Sequence, residues 1–380
     1  MQCRNKLRAG QDRLEGANYP HGKTMSSQIA VIEPGTDHRW DRFVESHPAG
    51  MVYHLSGWKR ALEANFPHMK GHYLALMDGT RDTIRAALPL FEIRSWLTGK
   101  RLVSIPFASV CDPLISSEDD FALLFDSALS LSRTLGISRL VIRTYKALPL
   151  VQDNRLGHRG VYKLHYLLLE QGVVELWNNF HRSCVRQRIS RAITNKLILK
   201  TVENKTDLQE FYKLYIMTRR RLCLPPQPAA FLESLWDAFY STGQISVLLA
   251  LKDGKPIAGL LLLKFQDRVS AEYGVSDQAY WSLNPNHFLF WEAIQTACRG
   301  GYKVFDFGRT SLHNRELMEF KARWGTREAD LVELHYPCQG LHPSVIRENS
   351  GLYRFVRWLI QYVPEPIFER LGGYCYRHLG

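Results

Sequence analysis

Short blocks of apolar residues, four to nine long and closed by glycine, aspartate or proline, fill most of the chain, and two sets of blocks repeat one another. Tyr73–Met77 leads to Asp78-Gly79 and then to the apolar run Ile84–Phe91. Val247–Leu251 leads to Asp253-Gly254 and then to Ile257–Phe265. Each reads as strand, tight turn, strand, since Asp-Gly supplies the positive φ that a hairpin turn requires. A second echo follows. Phe121–Leu135 has helical spacing, stops at Gly136 and leads into Arg139–Arg143. Phe288–Arg299 does the same, stops at Gly300-Gly301 and leads into Lys303–Phe307. Glycine just past the last turn is the usual helix stop.

The repeat predicts an α/β (α+β) chain of two tandem modules, each a mixed sheet flanked by helices. The first spans about 28–165 and the second about 166–340. Residues 1–27 carry no pattern and read as a disordered extension, with Met25 as an alternative start. Residues 341–380 read as a helical tail, in which Leu352, Phe355, Val356, Leu359, Ile360 and Val363 form an apolar stripe. That stripe suits either the protein's own core or a membrane surface. Between the echoes, Thr206-Asp207-Leu208-Gln209 reads as a capping box. Asn284-Pro285 reads as the cap and first turn of the helix through Arg299.

Composition narrows the class. At 380 residues the chain is too long for one ordinary core. Its 45% hydrophobic and 23% charged residues are those of a soluble globular protein. No apolar run reaches the length of a membrane span. Seven cysteines, an odd number without close pairs, argue against a disulfide frame or a zinc knuckle and favour a reducing cytoplasm, with contact at the inner membrane face as an option. A net charge of +12 favours an anionic partner.

Two basic segments fit such a partner. Residues 181–200 read as one acid-free helix, with Val185, Ile189, Ala192 and Ile193 on its buried stripe and Arg188 among the outward arginines. Thr218-Arg219-Arg220-Arg221 ends another helix before a proline-rich turn. Arginine forks match phosphate oxygens, although cations also stabilise helix C-termini by themselves.

The candidate site lies at the end of a buried strand, Asp306-Phe307-Gly308-Arg309-Thr310-Ser311, with Phe320-Lys321 following. Asp306 in an apolar strand needs a partner or a raised pKa. Gly308 permits a turn, Arg309, Thr310 and Ser311 offer donors, and Lys321 can stabilise an oxyanion or a phosphate. A kinase reading of Asp-Phe-Gly fails, because the catalytic and glycine-rich loops are missing. Nucleophile-elbow, P-loop, metalloprotease and dinucleotide signatures are absent too. His287 and His313 read as structural.

Together these segments resemble the FemAB-like group of the GNAT acyltransferase superfamily. The resemblance rests on His181–Ala192, on Thr218–Pro228, on Asn284-Pro285 before Phe290–Ile294, and on the Asp-Phe-Gly loop with Phe320–Gly325. Tyr53-His54 to Trp58, Leu88–Leu90 and Arg101–Pro106 add to it in the first half. It implies transfer of an acyl or aminoacyl group to the amine of a cell-envelope or exopolysaccharide acceptor, by direct attack. The donor is aminoacyl-tRNA or acyl-CoA, and no cofactor is held tightly. Lys321 and Asp306 would be catalytic. Arg188, Thr218, Arg220, Arg221, Tyr273, Gly308–Ser311 and Phe320 would bind substrate. DNA is not among the expected partners, and a monomer suffices to form the cleft. The family's glycine-containing CoA loop is replaced by Tyr280–Asn286, which has no glycine. A coiled-coil arm has no room, since a strand follows directly at Gln244. The rival from another class is a non-catalytic RNA- or envelope-assembly-binding protein on the same fold.

Overall fold

The computed structural model describes residues 28–79, 83–338 and 363–378. The expected extension before residue 28 lies outside them, and so does the tail stripe Leu352–Ile360.

Each half contains the run of one strand followed by two helices. In the first these are β1 (Gln28–Ile32), α1 (His38–Ser46) and α2 (Ser56–Asn65). A meander of β2 (Met69–Met77), β3 (Ile84–Ser95) and β4 (Gly99–Val103) follows, then α3 (Glu118–Leu135) and β5 (Leu140–Thr144). β6 (Gly157–Leu168) and α4 (Gly172–Asn179) lead out of this half. The second half opens with α5 (Gln187–Thr194) and repeats the order: β7 (Ile198–Thr201), α6 (Lys205–Arg221), α7 (Ala229–Phe239), β8 (Ile245–Lys252), β9 (Lys255–Phe265), β10 (Arg268–Ser276), α8 (Pro285–Arg299) and β11 (Val304–Ser311). It closes with α9 (Arg315–Ala322) and β12 (Arg327–Tyr336), and α10 (Glu365–Tyr376) follows. The last strands of the two meanders, β4 and β10, each run parallel to the strand after the helix, β5 and β11. The repeat seen in the sequence is therefore a repeat of topology.

The two sheets join into one of twelve strands, ordered β1-β2-β3-β4-β5-β12-β6-β11-β10-β9-β8-β7. The middle is crossed. β6 leaves the first half to pair with β11 of the second, and β12 returns to pair with β5 of the first. β6 and β12 also pair with each other. Strand β6 thus straddles the expected boundary at 165/166.

Side chains alternate through the sheet as period two requires. On β9, Leu260 and Leu262 enter a core with α5 and α8, while Leu261 and Leu263 enter the opposite core. That opposite core is common to both halves. It joins Trp40, Trp58 and Tyr73 of the first half to Phe211, Phe231 and Trp236 of the second. Trp58 and Phe231 meet edge to face at 6.0 Å, and Gly57 lets α2 approach α7, since a Cβ there would sit 3.0 Å from the Phe239 ring. α3 covers the other face of the first half. The Ser117 hydroxyl accepts from Asp120 N–H at its start, and Gly136 ends it in the left-handed region at φ 63°.

Several local expectations need correction. The stretch 181–200 is not one helix. A π-turn over Arg182–Arg186 precedes α5, which ends at Thr194. Lys196 at φ 55° then turns the chain into β7. Ile193 is 54% exposed rather than buried, because the π-turn seats Val185 on the core and α5 seats only Ile189 and Ala192. The cap of α6 is Asn204, whose side chain accepts from Asp207 N–H at 2.9 Å, two residues before the Thr206 expected in that role. Asn284 does precede α8, but in the left-handed conformation and without a side-chain capping bond. Among the described residues, no helix is long and apolar enough to cross a membrane, and no cluster of three or more metal-ligating side chains is present.

Candidate functional site

The parallel strands β10 and β11 are paired only as far as Ser270 and Asp306, and then both are interrupted. β10 shifts register against β9 between Ala271 and Tyr273, and β11 shifts against β6 between Asp306 and Arg309. Such bulges re-aim side chains out of the pleat. Two of them side by side open a gap in the middle of an otherwise continuous sheet.

The β11 bulge is held from both sides. Asp306, 1% exposed, accepts from Arg268 Nη1 at 3.1 Å and from Gly308 N–H at 2.7 Å. Gly308 has φ 75°, and a Cβ there would lie 3.3 Å from Ala271 O, so conformation and space both require glycine. From the other side, Lys321 of α9 donates from Nζ to Gly308 O at 2.7 Å and to Arg309 O at 3.4 Å. α9 starts where the Asn314 side chain accepts from Leu317 N–H. That cap sets the helix register so that Lys321, seven residues on, points into the fold. Burial pushes the Lys321 ammonium down to about 8, opposed in part by the charges of Asp306 and Glu272.

Glu272 sits in the β10 bulge and was not among the expected site residues. Its carboxylate accepts from the Tyr53 hydroxyl at 2.6 Å and from the Ser109 hydroxyl at 3.1 Å. Burial raises its pKa. The two hydroxyls and Arg309 oppose the rise, and the neighbouring Asp306 adds to it. Tyr53 and Ser109 belong to the first half, so both modules build this site. The signal in the sequence was a lone acid among the apolar residues Val269, Ala271 and Val275. Arg309 stacks over the Tyr162 ring at 4.7 Å and lines a small cavity with Ser109 and Arg143. A protonatable carboxylate, an ammonium and a guanidinium thus converge where the sheet opens.

The remaining expected residues fall into other settings. Thr310 is buried, and its hydroxyl has no partner among the described residues. Ser311 accepts from His313 N–H at 3.4 Å. Phe320 packs its ring between His287 and Trp324. His287 is pushed down to about 4 by burial and by nearby Arg188, as a structural histidine would be. Arg188 lies on α5 beside it. Tyr273 donates to Gln227 Oε1 at 2.7 Å and faces Tyr215 of α6.

Thr218, Arg220 and Arg221 gather at the far end of β10. The Thr218 hydroxyl accepts from Ser276 N–H at 3.0 Å and joins α6 to the strand. Arg221 stacks over Trp281 at 4.3 Å, and Arg220 stacks over Phe368 of α10 at 5.2 Å. Both line an open cleft of about 400 Å³ with Ser276, Asp277 and Gln278. Arg220 Nε and Nη2 and Arg221 Nη1 are buried without a partner among the described residues, and buried donors left unmatched in a cleft favour an anion. Ser276 is four residues from Glu272, about 13 Å along a strand. A turn over Gln278–Leu283 then leads into α8, where Pro285 at the first helical position removes one backbone donor.

The equivalent opening in the first half is closed by its own chain. Parallel pairing of β4 and β5 stops at Val103 and Val141. Beyond it, Asp112 accepts from the Thr144 hydroxyl at 3.0 Å and from the N–H groups of Tyr145, Lys146 and Ala147 at 2.6–3.1 Å.

Residues 179–322, which hold Arg268, Glu272, Asp306, Arg309 and Lys321, match the model of the acetyltransferase (GNAT) domain. Among solved structures, FemX is similar over 87% of this chain and 100% of its own, at 16% identity and a TM-score of 0.67. The C-terminal domain of a putative lysylphosphatidylglycerol synthetase from Agrobacterium fabrum is similar over 80% of this chain and 91% of its own, at 16% identity and a TM-score of 0.53. A tandem GNAT protein from the clavulanic acid biosynthesis pathway is similar over 83% of this chain and 100% of its own, at 10% identity and a TM-score of 0.50. No curated protein matches the sequence.

Proposed function

We propose that the chain is a FemAB-like acyltransferase of the GNAT superfamily, and that it moves an acyl or aminoacyl group onto an amine of a cell-envelope or exopolysaccharide acceptor at the paired bulges of β10 and β11. The observation that carries this reading is Glu272, a carboxylate with a raised pKa beside the Lys321 ammonium where the sheet opens. An amine must lose a proton to attack a carbonyl, and a carboxylate with a raised pKa is the better base for it. Attack forms the N–C bond and a tetrahedral oxyanion. Collapse breaks the C–O bond of an aminoacyl ester or the C–S bond of a thioester. The proton taken by Glu272 can then return to the leaving oxygen or sulfur.

Lys321 supplies positive charge for the oxyanion. Two of its three N–H bonds are fixed on Gly308 O and Arg309 O, and one is left for a ligand. Asp306 acts at one remove: bound to Arg268 and Gly308 N–H, it positions the bulge and leaves the base role to Glu272. Arg220 and Arg221 bind a phosphate of donor or acceptor. The donor is aminoacyl-tRNA or acyl-CoA. The proline-headed, glycine-free approach to α8 offers few amides to a CoA pyrophosphate, which supports the first. The lysylphosphatidylglycerol synthetase, named for a membrane lipid, supports an envelope acceptor. The test is mass spectrometry of the purified protein with charged tRNA or acetyl-CoA and candidate amines. Transfer that survives Glu272→Gln and Lys321→Ala undiminished would remove the assignment.

A further inference from the structure

Helix α10 has three faces. Phe368, Gly372 and Tyr376 are buried: Phe368 lies under Arg220, Gly372 is pressed on Pro226, and Tyr376 lies against Phe66 and Phe107. On another side Ile367, Leu371 and Tyr374 are 52%, 39% and 48% exposed, at the i, i+4, i+7 spacing of one stripe. Arg370 and Arg377, both exposed, form a basic stripe directly beside it.

The apolar stripe does not end with the helix. Tyr374 meets the His378 ring at 5.4 Å, and His378 meets Trp96 edge to face at 5.2 Å. Trp96 and Leu97 form the tip of the β3–β4 hairpin and are 77% and 64% exposed. Exposed Lys100 follows them, and Arg101 ties the hairpin to the helix end through His378 O at 3.2 Å. The exposed stripe of α10 and the tip of the β3–β4 hairpin are thus joined through the His378 ring into one apolar surface, rimmed by cations. A monomeric surface rarely leaves such a ridge in water.

We propose that this ridge is a docking surface for an anionic lipid bilayer, with Trp96 and Leu97 inserted at the headgroup level and Lys100, Arg370 and Arg377 on the lipid phosphates. Tryptophan and tyrosine favour that depth, and each basic residue near the surface adds to the attraction. The net charge of +12 acts in the same direction. A water-exposed protein surface would complement the cations equally well, but it gives no reason for an indole and a leucine at the most exposed point of a turn. The buried side of α10 lies on Arg219 and Arg220. Docking therefore brings the arginine cleft to within one helix diameter, about 10 Å, of the lipid headgroups.

Flotation of the full chain with vesicles tests this. Vesicles of equimolar phosphatidylglycerol and phosphatidylcholine should carry the protein at low salt and release it at high salt, and phosphatidylcholine alone should bind weakly. The double variant Trp96→Ser, Leu97→Ser should bind at least ~10-fold more weakly, since burying either side chain is worth more than the 1.4 kcal/mol that equals tenfold. Its melting temperature should match the parent, because both side chains are exposed. Transfer between water-soluble substrates without vesicles should also be unchanged, which separates this surface from the transferase site. No flotation of the parent would overturn the proposal, and so would a double variant that floats like the parent. A parent dimer dispersed by Leu371→Ser, without vesicle binding, would assign the ridge to a second copy instead.

Discussion

The Tyr53 hydroxyl of the first module donates to the Glu272 carboxylate of the second at 2.6 Å, so the base of the proposed reaction is tuned by the module that lacks an opening of its own. Glu272→Gln keeps the shape and the hydroxyl contacts but removes the base. Its kcat/KM should fall by ~10²–10⁴. Steady-state kinetics check this, and a loss under tenfold would count against the base role.

Tyr53→Phe makes a finer prediction. The hydroxyl stabilises ionised Glu272, so its loss raises a pKa that burial has already raised. The base works deprotonated, and the rate falls as pH drops through that pKa. The acidic limb of kcat/KM against pH should therefore move to higher pH in Tyr53→Phe and stay put in a variant away from the site.

Lys321 sets the other limb. Its ammonium is held down to about 8, so activity that needs the charge should decline as pH rises past about 8. The stability sign is separate. The folded pKa lies below the unfolded 10.5, so the unfolded chain binds more protons between about 8 and 10.5. Stability from this group rises with pH across that window, and burial of the charge lowers stability below it. Lys321→Met should thus abolish transfer while thermal unfolding near neutral pH shifts little, relief of the buried charge offsetting two lost hydrogen bonds.

Arg268→Ala strands Asp306 as an unpaired buried charge under the bulge. Loss of one partner of such a pair costs about 3–5 kcal/mol, and denaturant unfolding should show it. Gly259→Val should be comparably harmful, because a Cβ at Gly259 would lie 2.5 Å from the Phe211 ring in the shared core.

Arg220→Ala with Arg221→Ala should raise the KM of one substrate about tenfold or more and leave kcat nearly unchanged, as loss of uniform binding does. If that substrate is charged tRNA, the slope of log affinity against log salt should also become shallower by about one per lost phosphate contact.

The sequence carried the architecture further than the chemistry. The hairpins, α3, α8 and the strands after them were legible because alternation, helical spacing and glycine stops are local. The crossing of β6 and β12 was not, since each strand has a partner from the other half and nothing local says which. Lys321 and Asp306 stood out by motif, and the structure puts both at one bulge, with Asp306 already engaged by Arg268. Glu272 was missed because a bulge is a register event between strands. Without it, a lone acid beside Tyr273 reads as an ordinary strand position. Arg188 was grouped with the site from its charge, and α5 sets it near His287, whose ring meets that of Phe320.

The most direct test of the central claim is a single-turnover assay with labelled aminoacyl-tRNA or acyl-CoA and an amine acceptor, comparing the parent with Glu272→Gln over a pH series. The account predicts transfer by the parent with a bell-shaped profile that falls on the alkaline side near 8, and a slow, nearly flat profile on the acidic side for Glu272→Gln. Equal rates and equal profiles for the two proteins would contradict it.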